Sequence, residues 1–410
     1  MSRMPLSLTE PMIFPQLKVV VADDDALQRA HASAMLRKLG YDPYECDNGV
    51  SALEMVRNLD ARILLCDLDM PGLDGNELAQ KIREGGSEHY VHIIMVTSQS
   101  QRAERERALE AGVDDFIPKP LDKASLTARI RSADRLLRHE MLLAERNRVL
   151  AEAKEQIEAD IRAAASAQRR MLPAAEAHIG GCNFYSAFMP SNILSGDMFA
   201  YYDLGPRHLG FYAIDVAGHG VHASLLSVAL GHLLTSEYFG QWGFDAEGTP
   251  DPAALVRALN ARFYRDDSTE YFTMFCGIIE KDSDRMHFCQ AGYPSPLIVA
   301  RDRSCRVIGD GGFPVALLED VDFDNHCTTL RDGEALAVFS DGATEAENLA
   351  GTPFDEDRVL AVLTQSAKQP EAIPGRIVEA LTKWRDGRTL ADDLTILVCE
   401  RKTSDDQVSR

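Results

Sequence analysis

Residues 62–75 read R-I-L-L-C-D-L-D-M-P-G-L-D-G, an apolar run that stops on Asp67 and passes within four residues into the turn pair Pro71-Gly72. Such a run is the signature of a strand buried on both faces, with a carboxylate at its carboxyl end. The same pattern recurs on either side. Lys18–Ala22 runs into Asp23, Asp24 and Asp25, His92–Thr97 ends on Thr97 and Ser98, and Asp114–Ile117 is followed by Lys119-Pro120. A fifth run spans Tyr41–Cys46, and the segments between all five carry apolar residues at helical spacing. Leu17 to about Arg138 is therefore expected to form a doubly wound α/β domain with a parallel sheet.

In such a sheet ligands bind outside the carboxyl ends of the strands, where these runs all terminate. Several carboxylates and one lysine at a single edge repel unless a divalent cation sits among them, and Mg²⁺ is the expected ion. With that charge neutralised, one aspartate can attack a phosphoryl donor while the Thr97 hydroxyl holds a phosphoryl oxygen.

The motifs V-A-D-D-D, C-D-L-D-M-P-G-L-D-G, V-T-S and P-K-P resemble, in that order, those of the response-regulator receiver family. The resemblance covers the whole first domain and implies a flavodoxin-like fold. It implies that Asp67 is the phospho-acceptor, Asp23 and Asp24 the acidic pair, and the carbonyl of Asp69 a Mg²⁺ ligand beside Asp67. Thr97 and Lys119 then match the switch hydroxyl and lysine, and Phe116 the switch aromatic. A sensor histidine kinase or phosphotransfer protein is the implied phosphodonor.

From Ala124 to Leu172 there is neither Pro nor Gly, and Ala, Leu, Glu and Arg dominate, so one long helix closed by Pro173 is expected. Leu136, Leu143, Leu150, Ile157, Ala164 and Met171 recur every seven residues. The companion positions Glu140, Asn147, Lys154 and Gln168 are polar, with Ile161 the apolar exception. The helix is thus either a solvated connector or a weak parallel coiled coil that joins two copies of the chain.

Beyond Pro173 the pattern changes to many β-rich runs with few helices, the signature of an α+β domain with packed antiparallel sheets flanked by helices. Strands are expected at Cys182–Met189, His208–Val216, Tyr271–Glu280, Met286–Gln290, Leu297–Ala300, Ala335–Phe339 and Leu394–Cys399. Helices are expected at His222–Tyr238, Asp251–Tyr264, Asp355–Gln365 and Ala372–Trp384. Four acidic contexts stand out: S-G-D-M-F with Asp197, A-I-D-V-A-G-H-G with Asp215, F-S-D-G-A with Asp341, and A-D-D-L-T with Asp392 and Asp393. Carboxylates beside glycines or at strand ends suit hard-metal ligation, and two such ions can activate water and clamp a phosphoryl group.

These contexts, with A-G-Y-P-S-P-L at 291–297 and G-F-P-V-A at 312–316, resemble the bacterial RsbU and SpoIIE-like branch of the metal-dependent protein phosphatase (PPM) family. The segment A-S-A-Q-R-R-M-L-P is similar to the one leading into the phosphatase domain of that branch. The resemblance implies a serine/threonine phosphatase with two Mn²⁺ or Mg²⁺. Asp215 would bridge both ions, the Val216 carbonyl would ligate one, Asp341 and Asp392 would complete the first site, and Asp197 would serve the second. Asp393 is a further candidate ligand and His219 a candidate proton donor. Tyr293 stands where the family usually has His, and Ser195 where it usually has Gly; neither position ligates metal in the family. The implied substrate is an anti-sigma-factor antagonist of the STAS type in a partner-switching pathway.

The chain thus divides into a tail at 1–16, a receiver-like domain at 17–138, a helical linker at 139–172, a phosphatase-like domain at 173–402 and a tail at 403–410. A rival reading, a non-enzymatic adaptor on a vestigial phosphatase fold, predicts that one or more of the metal carboxylates is lost, yet all are present. A net charge of -21 over 410 residues, with no basic patch, argues against nucleic acid and anionic membranes as partners. No run approaches membrane-spanning length. Eight cysteines without a C-x-x-C pair, four of them inside strand-like runs, fit reduced thiols in a cytoplasmic protein.

Overall fold

The computed structural model describes residues 16–85, 89–98, 102–218, 220–267 and 269–402. It separates into two compact units that divide between Lys154 and Glu155.

The first unit alternates β1 (Val19–Ala22), α1 (Ala26–Lys38), β2 (Pro43–Cys46), α2 (Gly49–Leu59), β3 (Ile63–Asp67), α3 (Gly75–Glu84), β4 (His92–Thr97), α4 (Arg102–Glu110) and β5 (Asp115–Pro118). The strands form one parallel sheet in the order β2-β1-β3-β4-β5. Alternate residues serve its two faces: Val20, Ala22, Leu64 and Cys66 pack under one layer of helices, while Val19, Val21, Ile63 and Leu65 pack under the other. The acidic motifs also do structural work. Asp25, third of the aspartate run, caps α1 by accepting from the amides of Leu27 and Gln28. Asp74 forms a capping box with Glu77 at the start of α3. A Cβ on Gly75 would come 2.6 Å from the Asp67 carbonyl, so the turn after β3 needs a glycine there.

The long helix α5 runs over Lys123–Arg169, 47 residues, and the division between the units falls inside it. Asp122 caps it through the amides of Ala124 and Ser125. It ends before Pro173 and not at it. The amides of Arg170 and Met171 already turn back to the carbonyls of Ala167 and Gln168, a tightened last turn, and Met171 and Leu172 leave to join the core. Leu136, Leu143, Leu150 and Ile157 are 51, 60, 66 and 59% exposed.

The second unit contains β6 (Glu176–Ile179), β7 (Cys182–Met189), β8 (Met198–Asp203), β9 (His208–Val216), α6 (Val221–Leu233), α7 (Ser236–Trp242) and α8 (Pro252–Phe263). β10 (Phe272–Glu280), β11 (Arg285–Ala291), β12 (Leu297–Val299), β13 (Cys305–Val307), β14 (His326–Thr329), β15 (Ala335–Phe339), α9 (Asp355–Ser366), α10 (Ile373–Arg385) and β16 (Leu394–Arg401) follow. Two antiparallel sheets, β14-β11-β10-β9-β8 and β13-β12-β15-β16-β7-β6, share an inner core built from both. Along β9, Leu209, Phe211 and Ala213 enter that core, whereas Tyr212, Ile214 and Val216 face α6 and α8. The other sheet carries α9 and α10 on its outer face. The single helix expected over His222–Tyr238 is two, because Leu234 leaves the helical backbone and the Thr235 hydroxyl caps α7 by accepting from the Tyr238 amide. β6, β8, β13 and β14 are strands beyond those the sequence pattern revealed. All eight cysteines are free thiols, and no described helix is long and apolar enough to cross a membrane.

Leu336 is fully buried between the two sheets. Leu336→Ala should cost the second unit about 2–5 kcal/mol and lower its melting temperature by roughly 5–15 °C. Scanning calorimetry of the full chain checks this against Leu64→Ala, which should lower only the transition of the first unit.

Candidate functional site

At the carboxyl edge of the parallel sheet, Asp23, Asp24 and Asp67 bring carboxylate oxygens within 4.8 Å of one another. Lys119, held beyond β5 by a backbone bond from its amide to the Thr97 carbonyl, places Nζ 2.8 Å from Asp67 Oδ1. Burial raises the Asp23 carboxyl above its ordinary range, as does repulsion from Asp67 and Asp24; the Asp25 amide and Lys119 oppose the shift. Asp23, Asp67 and Thr97 are buried, while Asp69 is exposed in the turn after β3. Phe116 is half-buried on β5 and pairs in register with Met95 of β4. Asp23, Asp24 and Asp67 form a hard-oxygen cluster of the kind that suits Mg²⁺.

In the second unit the acidic contexts converge at one end of the sandwich. Asp215 continues the inward parity of Leu209, Phe211 and Ala213 at the end of β9, Asp197 precedes β8, Asp341 opens the turn after β15, and Asp392 precedes β16. Glycines let the loops close on each other. A Cβ on Gly196 would meet the Val216 carbonyl at 2.9 Å, and one on Gly342 would meet the Asp393 carbonyl at 2.1 Å.

Asp393 lies among these residues but is not free to ligate. Its carboxylate accepts from the amide and hydroxyl of Ser191 at 2.7 and 2.9 Å, the Ser195 hydroxyl at 2.8 Å and the Gly196 amide at 2.7 Å. It is the anchor of the loop carrying Asp197, with its lone pairs already used. Ser195 extends the anchor by accepting from the Asp197 amide at 3.0 Å. His219 lies outside the described residues.

Repulsion at this end is strong. Asp197 is pushed well above its ordinary range by burial, then by Asp215 and Asp393. Burial raises Asp215 to about 7, with Asp341 and Asp392 adding to it. Asp341 rises to about 6 through burial, Asp392 and Glu345. Among the described residues no lysine or arginine pairs with Asp197, Asp215 or Asp341. Neither oxygen of Asp197 makes a hydrogen bond, although the Thr395 and Ser340 hydroxyls lie near enough to favour its charged form; Asp341 Oδ1 also has no partner. Buried, acceptor-only oxygens without protein donors are what Mg²⁺ or Mn²⁺ requires, so the residues fit the ions. Unlike the set at the first site, no three of these carboxylates close to within 4.8 Å of one another.

Sequence reading misses the supports. Gln168, in the last turn of α5, is buried and donates to the Ser195 carbonyl at 2.7 Å and the Ser227 hydroxyl at 2.8 Å, while its Oε1 accepts from the Ser195 amide at 3.2 Å. Nothing in a single sequence links a glutamine to a serine 27 residues away. A third cluster, Asp310, Asp324 and His326, is largely exposed, and His326 pairs with Asp310 at 3.4 Å and stacks on Phe288.

Comparison with known proteins assigns both units. The model of the response regulator receiver domain matches residues 19–131, and that of stage II sporulation protein E (SpoIIE) matches residues 205–402. The chemotaxis protein CheY-3 of Vibrio cholerae is 30% identical over 122 residues, 30% of this chain and 94% of that protein. The response regulator MprA of Mycobacterium leprae is 35% identical over 116 residues, 28% of this chain; the chain spans only 50% of its length. The SiaA-PP2C domain of Pseudomonas aeruginosa superposes with a TM-score of 0.52 and 19% identity over 60% of this chain and 98% of that one, a likeness of fold.

The raised carboxyls give the metal-free protein a defined pH response. An unfolded aspartate releases its proton near pH 4, so between about pH 4 and 7 the folded state binds more protons and stability falls as pH rises. In chelator, the melting temperature of the second unit should fall over that window, and less so in Asp215→Asn. Mn²⁺ should restore more at about pH 7.5 than at about pH 5, where protons already neutralise the site. Thermal scans at both pH values check this; identical profiles for wild type and Asp215→Asn would refute it.

Proposed function

The chain belongs to the response regulators and carries a SpoIIE-type phosphatase domain of the PPM family, and from that premise we propose that it is a protein serine/threonine phosphatase controlled by phosphorylation of Asp67. The observation that carries this reading is the set of carboxylates Asp197, Asp215 and Asp341, with Asp392 beside them, at one end of the sandwich: burial, and then the charge of neighbouring carboxylates, raises the first three, and the oxygens of Asp197 and Oδ1 of Asp341 have no donor. A vestigial adaptor has no use for so costly a set.

Asp215, the Val216 carbonyl, Asp341 and Asp392 would hold one divalent cation, and Asp197 with Asp215 a second. Bound there, such ions supply Lewis-acid activation of water and charge stabilisation at the phosphoryl group. The protein's part is to keep the oxygens in place: Asp393 fixes the loop of Asp197, and Ser340 ties the Asp341 turn to β16 by donating to the Asp393 carbonyl at 3.0 Å and accepting from the Thr395 amide at 2.9 Å. At the other site, Asp23, Asp24, Asp67 and the Asp69 carbonyl would hold Mg²⁺. A carboxylate oxygen of Asp67 bonds to the phosphorus of the donor, whose leaving group departs with the bonding electrons. Lys119 and Thr97 would hold oxygens of the resulting acyl phosphate. The donor is a sensor histidine kinase or phosphotransfer protein. The substrate is a phosphoserine or phosphothreonine protein of the STAS anti-sigma-factor antagonist class, a choice supported by family resemblance, and the setting is the cytoplasm.

Control passes through α5. Reorientation of Thr97 and Phe116 around a phosphorylated Asp67 alters the surface beside the first turns of the helix, and Gln168 at its far end grips the backbone next to Asp197. The exposed seven-residue series Leu136, Leu143, Leu150 and Ile157 pairs two chains in parallel, so that the state of the first unit is read as a change in helix pairing.

Turnover of a phosphoserine protein in Mn²⁺ tests the reading. Asp215→Asn should lose at least about 10²-fold in kcat yet still take up label from acetyl phosphate at Asp67. Asp67→Ala should reverse the pattern, losing label but keeping basal turnover. Mn²⁺-dependent hydrolysis by Asp215→Asn at the wild-type rate sinks the assignment.

Placing charges in the seam tests the coupling. Leu143→Asp with Leu150→Asp should give a monomer by light scattering, with basal turnover intact and no response to phosphodonor. A wild-type chain that remains monomeric with and without phosphodonor, and is still regulated, excludes pairing as the route.

A further inference from the structure

The six-stranded sheet of the second unit ends on an edge that β6 covers in part. β6 pairs with β7 from Ile179 opposite Cys182 to Glu176 opposite Tyr185, and the Ser186 amide then donates to the Ala175 carbonyl at 2.9 Å. There the covering chain turns inward: the Ala174 carbonyl accepts from the Tyr201 hydroxyl at 2.7 Å, and Leu172 joins the core. β7 runs on to Met189 with β16 on its other side. Successive residues of a strand direct their amides and carbonyls to opposite sides, so Phe188, two beyond Ser186, presents its backbone pair to the uncovered side. An edge of this kind is a template for a further strand.

Beside it lies a groove of about 410 Å³, walled by Pro374, Gly375 and Val378 of α10. Ala187, Phe188 and Met189 line its other side, each partly exposed. The charged residues that line it are Glu176 and Glu371, both exposed. A Cβ on Gly375 meets nothing within 4 Å, so the wall is open where any other residue would project. The groove also leads toward the acidic end. Met189 pairs with Leu394, which directly follows Asp392 and Asp393, and Ser191 just beyond it donates its amide and hydroxyl to Asp393. A strand advances about 3.3 Å per residue, so a segment laid beside Phe188 reaches that end within a few residues.

Apolar walls with two carboxylates and no basic residue suit a partner segment that carries apolar and basic side chains. A second copy of this chain fits poorly on charge, since each copy carries -21. We propose that this edge is a docking groove for the protein substrate. An extended segment flanking the phosphoserine or phosphothreonine pairs its backbone with Phe188, sets an apolar side chain against α10 and brings a lysine or arginine to Glu176 and Glu371. In strand addition of this kind the main chain supplies affinity and the alternate side chains supply specificity. The inference rests on the phosphatase reading.

Two phosphoserine peptides test it, one flanked on both sides by alternating Lys and Val and the other by alternating Glu and Val, each compared in Mn²⁺ with p-nitrophenyl phosphate, which is too small to span groove and metal site. The wild-type full chain should favour the lysine peptide roughly 3–10-fold in kcat/KM. Glu176→Lys with Glu371→Lys should abolish or reverse that preference. Gly375→Gln puts a helix-favouring side chain into the open wall, so its melting temperature should not fall. It should lower kcat/KM for the lysine peptide at least about 3-fold and leave p-nitrophenyl phosphate turnover unchanged. A wild type that treats both peptides alike, or a preference that survives the double charge reversal, overturns the proposal. So does Gly375→Gln with wild-type peptide kinetics, or one that separates paired chains in light scattering, which gives the groove to a second copy. A wild type without p-nitrophenyl phosphate turnover sensitive to Asp215→Asn overturns the phosphatase reading beneath it.

Discussion

Carboxylates brought close together repel one another, and each unit of this chain gathers several at one place. In the first unit the counter-charge is partly built in: Lys119 stands 2.8 Å from Asp67, and the Asp25 amide turns toward Asp23. What remains is a modest surplus of negative charge at an edge open to solvent. In the second unit the described residues supply no cation to Asp197, Asp215 or Asp341, and burial rather than any single neighbour is the largest cause of their raised carboxyls. The same residue type therefore has two fates. One aspartate has a lysine facing it, while the other set is raised by burial with no cation beside it among the described residues.

Keeping such a set together takes rigid support, and the structure supplies it from the backbone inward. The acidic loops hang on strand ends of two sheets that share a core, so their spacing is inherited from sheet packing and not from the loops themselves. Glycines at 196 and 342 permit approaches of loop to carbonyl that no other residue allows. Asp393 then converts a position that looks like a ligand into a lock, with four donors from Ser191, Ser195 and Gly196 converging on one carboxylate. The serine at 195, where the family usually has glycine, contributes the hydroxyl that both donates to Asp393 and accepts from the Asp197 amide.

Local signals carry far in this chain, and non-local ones do not. The parallel sheet is readable because each strand is a continuous apolar run that ends on a residue with chemistry, and β7, β9 and β15 match the sequence reading to the residue. β13 and β14 escape it because three or four residues of mixed polarity and partial exposure have no periodicity to find. The break between α6 and α7 escapes because Leu234 and Thr235 suit a helix and only their backbone shows the cap. Asp393 reads as a metal candidate because it neighbours Asp392; its partners lie 197 to 202 residues away, beyond any window. Gln168 is hidden differently, since a polar residue on a seam of α5 looks solvated until its partner Ser195 is placed.

That last contact ties the end of the long helix to the loop that carries Asp197. Gln168 bonds both the amide and the carbonyl of the buried Ser195, so rotating or unwinding the final turn of α5 strands the amide and leaves the carbonyl only the Ser227 hydroxyl at 3.2 Å. Each stranded group costs about 1–3 kcal/mol. The turn and the loop of Asp197 are thus bound to shift together, or the helix end stays where it is. Couplings between sites in switchable proteins amount to about 1–3 kcal/mol, or 5–150-fold, the scale that one or two such groups provide. The glutamine is therefore the point where a change in helix packing must become either a change at Asp197 or nothing.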